Sequence, residues 1–309
     1  MARPPLAASG TLPVSDVPPR WYTHEWNRPV VYRAGARLLG ALPRRARLGL
    51  ARAVAAAAPF PAERAAVRAN LARVVPGAST REREALVRAV LGHFAMCFAD
   101  LLSTNRTDRR LARRLATVEG GEHLDRAAAD GRGVILMTAH LGNWELAGRL
   151  LAQHGGTPTW VVVAEEPDAD VDRFLRGGPA PVRFVTLGRP TAGVSLLGAL
   201  RRRELVALQG DRALGTRGDV GVPFFGAPAP FPIGPFVLAR AAGAPLVPAF
   251  CVLDPDRRYR ITLGAPIRVA AGGERRALAA WVAVLEAAVC RHPEQWFNFY
   301  DVWHGPPAR

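Results

Sequence analysis

From about residue 118 onward, short apolar runs alternate with stretches of helical periodicity. The runs predict strands at 133–138 (GVILMT), 159–164 (TWVVVA), 182–187 (VRFVTL), 204–209 (ELVALQ), 245–252 (APLVPAFC) and 258–263 (RYRITL). Between them, helices are expected at 143–154, 168–176, 190–202, 234–242 and 273–291. Near-continuous apolar strands separated by helices imply a mostly parallel sheet covered on both faces. Residues 28–116 are different. Leucine, valine and alanine mix there with regularly spaced arginine, and Pro43, Pro59 and Pro61 punctuate a series of helices. Ser79 or Thr80, followed by acidic residues, opens the longest of them. The expected fold is therefore α/β, a mostly parallel central sheet with helices on both faces and an N-terminal helical region. Residues 1–20 are expected to be a mobile tail, 21–117 the helical region, and 118–309 the α/β region, packed together as one unit.

Composition narrows the function. The 309 residues, 49% hydrophobic, can build a sizeable core. Three widely spaced cysteines, Cys97, Cys251 and Cys290, form neither a disulfide framework nor a C-x-x-C pair, which suits a reducing, cytoplasmic setting. The formal charge is +15 and every basic residue is arginine. The surplus points to an anionic partner: a membrane surface, a nucleic acid, or an acidic protein or substrate. The absence of lysine excludes a P-loop lysine and a Schiff-base lysine. No run of about 18 uncharged apolar residues appears, so no conventional spanning helix is expected.

The chemistry concentrates where the first strand ends, in TAHLGNWELAG at 138–148. Ligands of open parallel sheets bind beyond the carboxyl ends of strands. With His140 in the turn and Glu145 in the first turn of the next helix, Glu145 is placed to accept a hydrogen bond from one imidazole nitrogen. The other nitrogen then takes a proton from a hydroxyl. A second reading stands beside this one: a satisfied histidine at a strand end, and a carboxylate favoured by the helix dipole. The stretch 209–226, QGDRALGTRGDVGVPFFG, follows another strand and reaches the same edge. Asp211 and Arg212 suit a phosphate or polar head group, or else form a simple turn pair. There is no G-x-S-x-G, no G-x-G-x-x-G after the first strand and no H-E-x-x-H, and the seven histidines lack metal-ligand spacing. No metal or cofactor is called for.

Together these blocks resemble the late lipid A biosynthesis acyltransferases (lauroyl/myristoyl type), a branch of the glycerolipid/lysophospholipid acyltransferase superfamily with its His-x4-Asp/Glu motif. AHLGNWELAG resembles the signature block. LQGDRALGTRGDVGVPFFGAPAPFPIGPFVLA, GAPLVPAF and HPEQWFNFYDVW resemble three later blocks, in order, across roughly residues 30–304. The resemblance implies acyl transfer from an acyl carrier protein or acyl-CoA donor to a hydroxyl of a glycolipid or lysolipid, without a covalent intermediate. It makes His140 the general base and Glu145 its orienter. It makes Asp211 the second acidic position, and Arg176 (alternatively Arg173) the arginine between blocks, with Asn143 and Trp144 inside the motif shaping the site. Asn143, Arg176, Asp211 and Arg212 are the residues expected to bind substrate. The implied place is peripheral, on the cytoplasmic face of the bacterial inner membrane. Two departures stand out. The spanning anchor of many relatives is replaced by a basic amphipathic stretch at 29–58, which either docks on an anionic leaflet or packs on the catalytic region. The FPIG run at 231–234 lacks the glutamate of the superfamily's Phe-Pro-Glu-Gly block. The phenylalanines and prolines of 222–236 line an acyl groove or belong to the core. Two other classes remain open: a basic nucleic-acid-binding protein, which the dispersed arginines disfavour, and a lipid-binding subunit of the same fold without catalysis.

Overall fold

A computed structural model describes residues 29–104, 115–148, 157–166, 168–176 and 182–305. The expected tail at 1–20 lies outside them. Four helices open the described chain: α1 (Pro29–Gly40), α2 (Arg44–Ala57), α3 (Pro61–Val74) and α4 (Thr80–Thr104). Pro61 takes the first turn of α3, where its missing N–H costs nothing. Ser79 and Glu82 form a reciprocal cap at the start of α4. Ser79 N–H donates to the Glu82 carboxylate at 2.8 Å, and Glu82 N–H donates to Ser79 Oγ at 3.3 Å.

The strands are β1 (Ala116–Glu119), β2 (Val134–Thr138), β3 (Thr159–Val163), β4 (Val182–Thr186), β5 (Leu205–Gln209), β6 (Asp219–Phe224), β7 (Ala227–Pro232), β8 (Leu246–Leu253) and β9 (Tyr259–Leu263). The intervening helices are α5 (Gly121–Ala128), α6 (Ala169–Arg176), α7 (Ala192–Arg201), α8 (Gly234–Ala242) and α9 (Glu274–Arg291). The six strands and four of the five helices expected after residue 118 are found within about two residues of their expected ends. Of the fifth helix, expected at 143–154, residues 144–148 are helical, Asn143 precedes them, and 149–154 lie outside the described residues.

Seven strands form one sheet in the order β1-β9-β8-β2-β5-β3-β4. From β8 to β4 neighbours are parallel; β9 runs antiparallel to β8, and β1 runs parallel to β9. β2, at the centre, is buried along its whole length, so its alternate residues feed two cores. Ile135 and Met137 join α7, α8, α9 and the β6–β7 hairpin. Val134 and Leu136 join Leu48, Val67, Leu71, Val87 and Val90 of the N-terminal helices. Those helices thus cover one face of the sheet and share its core.

By length and mean hydropathy, α4 is a helix of membrane-spanning size, although no such helix was expected. More than half of that stretch is buried in the protein. Its inward face carries Asp100, which is fully buried and bonded to Arg44, Arg47 and the Tyr259 hydroxyl. Phe224, Phe231 and Phe236 are fully buried in the first core, which settles the two readings of these three rings in favour of core packing.

Candidate active site

β2 and β5 are parallel neighbours in register, with Thr138 opposite Gln209. One residue further, Gly210 N–H donates to Thr138 O at 2.9 Å, so the chains leave the sheet side by side. Two residues beyond each strand end, His140 and Asp211 therefore face one another. His140 Nδ1 lies 2.7 Å from Asp211 Oδ1, and His140 N–H donates to Asp211 Oδ2 at 3.0 Å. The carboxylate in contact with the imidazole is thus that of Asp211, where the sequence pointed to Glu145. Glu145 lies exposed in the first turn of the next helix. It is close to Tyr32 of α1, whose phenol is pushed up to about 12 by burial first, then by the charges of Glu166 and Glu145.

The turn carrying His140 is anchored on both sides. Gly142 has φ +62°, and a Cβ there would lie 2.0 Å from Cys251 O. Only glycine meets both conditions. Gly142 N–H donates to Gln295 O at 2.8 Å and Asn143 N–H to Cys251 O at 2.7 Å. Asn143 caps the helix with its side-chain oxygen on Leu146 N–H at 3.3 Å. Its amide nitrogen donates to Cys97 O and Tyr259 Oη, both at 3.0 Å. Asn143, expected to bind substrate, is buried, and its side chain ties the turn to α4 and β9. The Trp144 ring packs edge-on against His140, centroids 4.7 Å apart.

Arg212 is buried beside Asp211. Its Nε donates to Asn298 Oδ1 at 2.7 Å and its Nη2 to Phe297 O at 2.5 Å. Asn298 Nδ2 in turn donates to Asp211 Oδ2 at 3.2 Å. Sequence reasoning did not single out Asn298. The signal available was one amide inside the aromatic run WFNFY. Asp219 folds the glycine-rich loop by accepting the N–H groups of Leu214 and Thr216. Arg176 sits apart from this cluster on α6. Its guanidinium pairs with Asp172 at 2.8 Å and donates to Ala164 O at 2.8 Å, while Arg173 pairs with Asp170. Cys251 is a buried packing residue whose thiol burial pushes well above its ordinary range.

The electrostatics assign the protons. Burial opposes the charge of Asp211, but His140 and Arg212 outweigh it and hold the carboxyl down near 2. Burial brings Arg212 down to about 10, still cationic. Burial, reinforced by Arg212 and opposed by Asp211, lowers His140 to about 4. At neutral pH the site thus holds a carboxylate, a guanidinium and a neutral imidazole. An ionised carboxylate only accepts, so Nδ1 carries the imidazole proton and Nε2 carries the lone pair. A neutral imidazole held in this way can accept a proton at Nε2.

The chain is similar to known proteins along most of its length. Residues 18–304 match the family described as bacterial lipid A biosynthesis acyltransferase. A phosphatidylinositol mannoside acyltransferase of Mycobacterium tuberculosis is 31% identical over 252 residues, covering 77% of this chain and 76% of that protein. Its counterpart in Mycolicibacterium smegmatis is 29% identical over 276 residues, 88% of this chain and 90% of that protein. The lipid A biosynthesis lauroyltransferase of Escherichia coli K12 is 28% identical over 313 residues, 94% and 91%. The chain belongs to the bacterial lipid A biosynthesis acyltransferase family and is an acyltransferase.

Proposed function

We propose that this enzyme works at a membrane and moves a fatty acyl group from an acyl thioester to a hydroxyl of a glycolipid, with His140 as general base. The observation that carries the proposal is the contact of the half-buried His140 ring with the fully buried Asp211 carboxylate, Nδ1 to Oδ1 2.7 Å. Nε2 takes the proton of the acceptor hydroxyl as its oxygen attacks the thioester carbonyl carbon. The tetrahedral intermediate then expels the thiolate, breaking the C–S bond, and the imidazolium returns its proton to the sulfur. Asp211 orients the ring and stabilises the imidazolium while it lasts. Glu145 is assigned to the rim of the site, not to the ring.

A glycolipid acceptor follows the names of the relatives, among which the mannoside acyltransferases are somewhat more similar than the lauroyltransferase. The donor is an acyl carrier protein or coenzyme A thioester; both are anionic and suit a chain of net charge +15. The test is acyl transfer in detergent micelles with acyl-carrier-protein and acyl-CoA donors. Mannosylated inositol phospholipids and lipid A precursors are offered as acceptors, and products are read by mass spectrometry. One lipid gaining one acyl mass with the wild type, and losing that gain in His140→Ala, is the expected result. Transfer by His140→Ala at the wild-type rate would remove His140 as the base. Asp211→Asn is expected to lower kcat by about 100-fold or more, and Glu145→Gln by much less. The reverse order would return the orienting role to Glu145.

A further inference from the structure

The segment after α9 closes a ring of hydrogen bonds around the proposed base. Phe297 N–H donates to His140 O at 2.7 Å. Arg212 donates both to Phe297 O and to Asn298 Oδ1, and Asn298 donates to Asp211 Oδ2. Asp211 donates nothing and accepts from His140 twice. The ring runs His140, Asp211, Asn298, Arg212, Phe297 and back to His140. Asn298 is 1% exposed and Asp211 is fully buried, so water does not substitute for a missing partner cheaply.

We infer that Asn298 is a positioning residue for acyl transfer: its amide bridges Arg212 to the Asp211 carboxylate and fixes the plane in which that carboxylate holds His140. The inference rests on the reading of His140 as the base. The chemistry of the two partners sets the amide's orientation. A guanidinium only donates, so the side-chain oxygen must face Arg212; a carboxylate only accepts, so the NH2 must face Asp211. The carboxylate torsion of an aspartate is otherwise broad. Without the amide, Oδ2 keeps the His140 backbone N–H but loses its second donor, and Arg212 Nε loses its buried acceptor. Asn298 is too buried to touch a substrate, so the effect belongs in kcat and not in KM.

Two substitutions test this. Asn298→Ala is expected to lower kcat on the order of 10- to 100-fold, the scale of losing a hydrogen bond to a charged group, with KM unchanged. Asn298→Asp separates positioning from plain stability. When protonated, the new carboxyl has the amide's pattern, with O–H toward Asp211 and C=O toward Arg212. When ionised, it opposes Asp211 with like charge. The charged and titratable groups around it are His140, Asp211, Arg212, Tyr300 on its own segment, and Asp219 near Tyr300. Between about pH 5 and about pH 8, where the wild type stays flat, activity of Asn298→Asp should therefore be highest at the acid end and decline as the pH rises. His140→Ala is run alongside, and each protein is scored only where circular dichroism shows it folded. Where Asn298→Ala does not fold, Asn298→Asp in acid carries the test. Wild-type kcat and a flat pH profile in the Asn298 variants, beside an inactive His140→Ala, would overturn the positioning role and leave the base reading standing. A lower melting temperature with unchanged kcat would overturn it equally. An active His140→Ala would remove the base reading itself.

Discussion

His140 can act as a base only while its ring is neutral, and burial and Arg212 set that condition. With the imidazole held near 4, kcat/KM should stay flat from about pH 8 to about pH 5 and fall only below that, whereas an ordinary imidazole would give a limb near 6.5. The same shift acts on stability. The folded-state pKa lies below that of the unfolded chain, so the contribution is complete above about pH 6.5 and is lost as the pH falls toward about 4. A kinetic limb at 6.5 would show His140 to be more solvated than its surroundings indicate. Gly142→Ala tests the turn. The left-handed backbone alone costs about 1–2 kcal/mol, and the methyl group meets Cys251 O at 2.0 Å, so thermal unfolding should show a loss beyond that figure. At this scale the sequence revealed His140 past an apolar strand and brought Asp211 to the same sheet edge, but it paired the imidazole with Glu145. Glu145 is five residues away and Asp211 is 71. They meet because β5 inserts beside β2, although β3 and β4 lie between them in the chain. A strand order of that kind is not written in local periodicity.

Among the elements, the junction of α2, α4 and β9 depends on one carboxylate. Asp100 holds Arg44, Arg47 and Tyr259, and Tyr259 holds the Asn143 cap of the turn carrying His140. Removing one partner of a buried ion pair leaves the others uncompensated, so Asp100→Ala should destabilise by about 3–5 kcal/mol in chemical denaturation. Tyr259→Phe, which frees Asn143 as well, should lower both stability and activity. Stability unchanged in Asp100→Ala would show that the arginines find water. The long helices and the apolar strands were legible because burial imposes their period. The hairpin was not. Pro223, Pro228, Pro230 and Pro232 argue against strands, yet they sit in a two-stranded ribbon separate from the main sheet. Phe225 (φ +48°) and Gly226 (φ +75°) form its two-residue turn, the pair of positive φ values that a tight hairpin needs. The Phe-Gly pair concealed that turn, since Asn-Gly is its usual signal.

Across the whole molecule, charge and exposed apolar surface coincide on the N-terminal helices. Leu38 and Val54 are 71% and 60% exposed, among exposed arginines such as Arg33, Arg37 and Arg52. The proposed membrane docking predicts that binding to vesicles containing anionic lipid weakens as salt shortens the Debye length from about 10 Å to about 3 Å. The double variant Leu38→Glu/Val54→Glu should bind less at every salt concentration. Equal binding would move the docking surface elsewhere. The same helices are tied to the far end of the described chain. Asn70 on α3 donates to the carbonyls of Asn298 and Tyr300 and accepts from Val302 N–H, across 228 to 232 residues. During synthesis on a ribosome, α3 therefore emerges long before its partners exist, and the turn carrying His140 stays unlocked until residues 295–302 arrive. A chain interrupted before that point would leave Asn70, Asp211 and Arg212 without these contacts, so half-made copies would not acylate lipid.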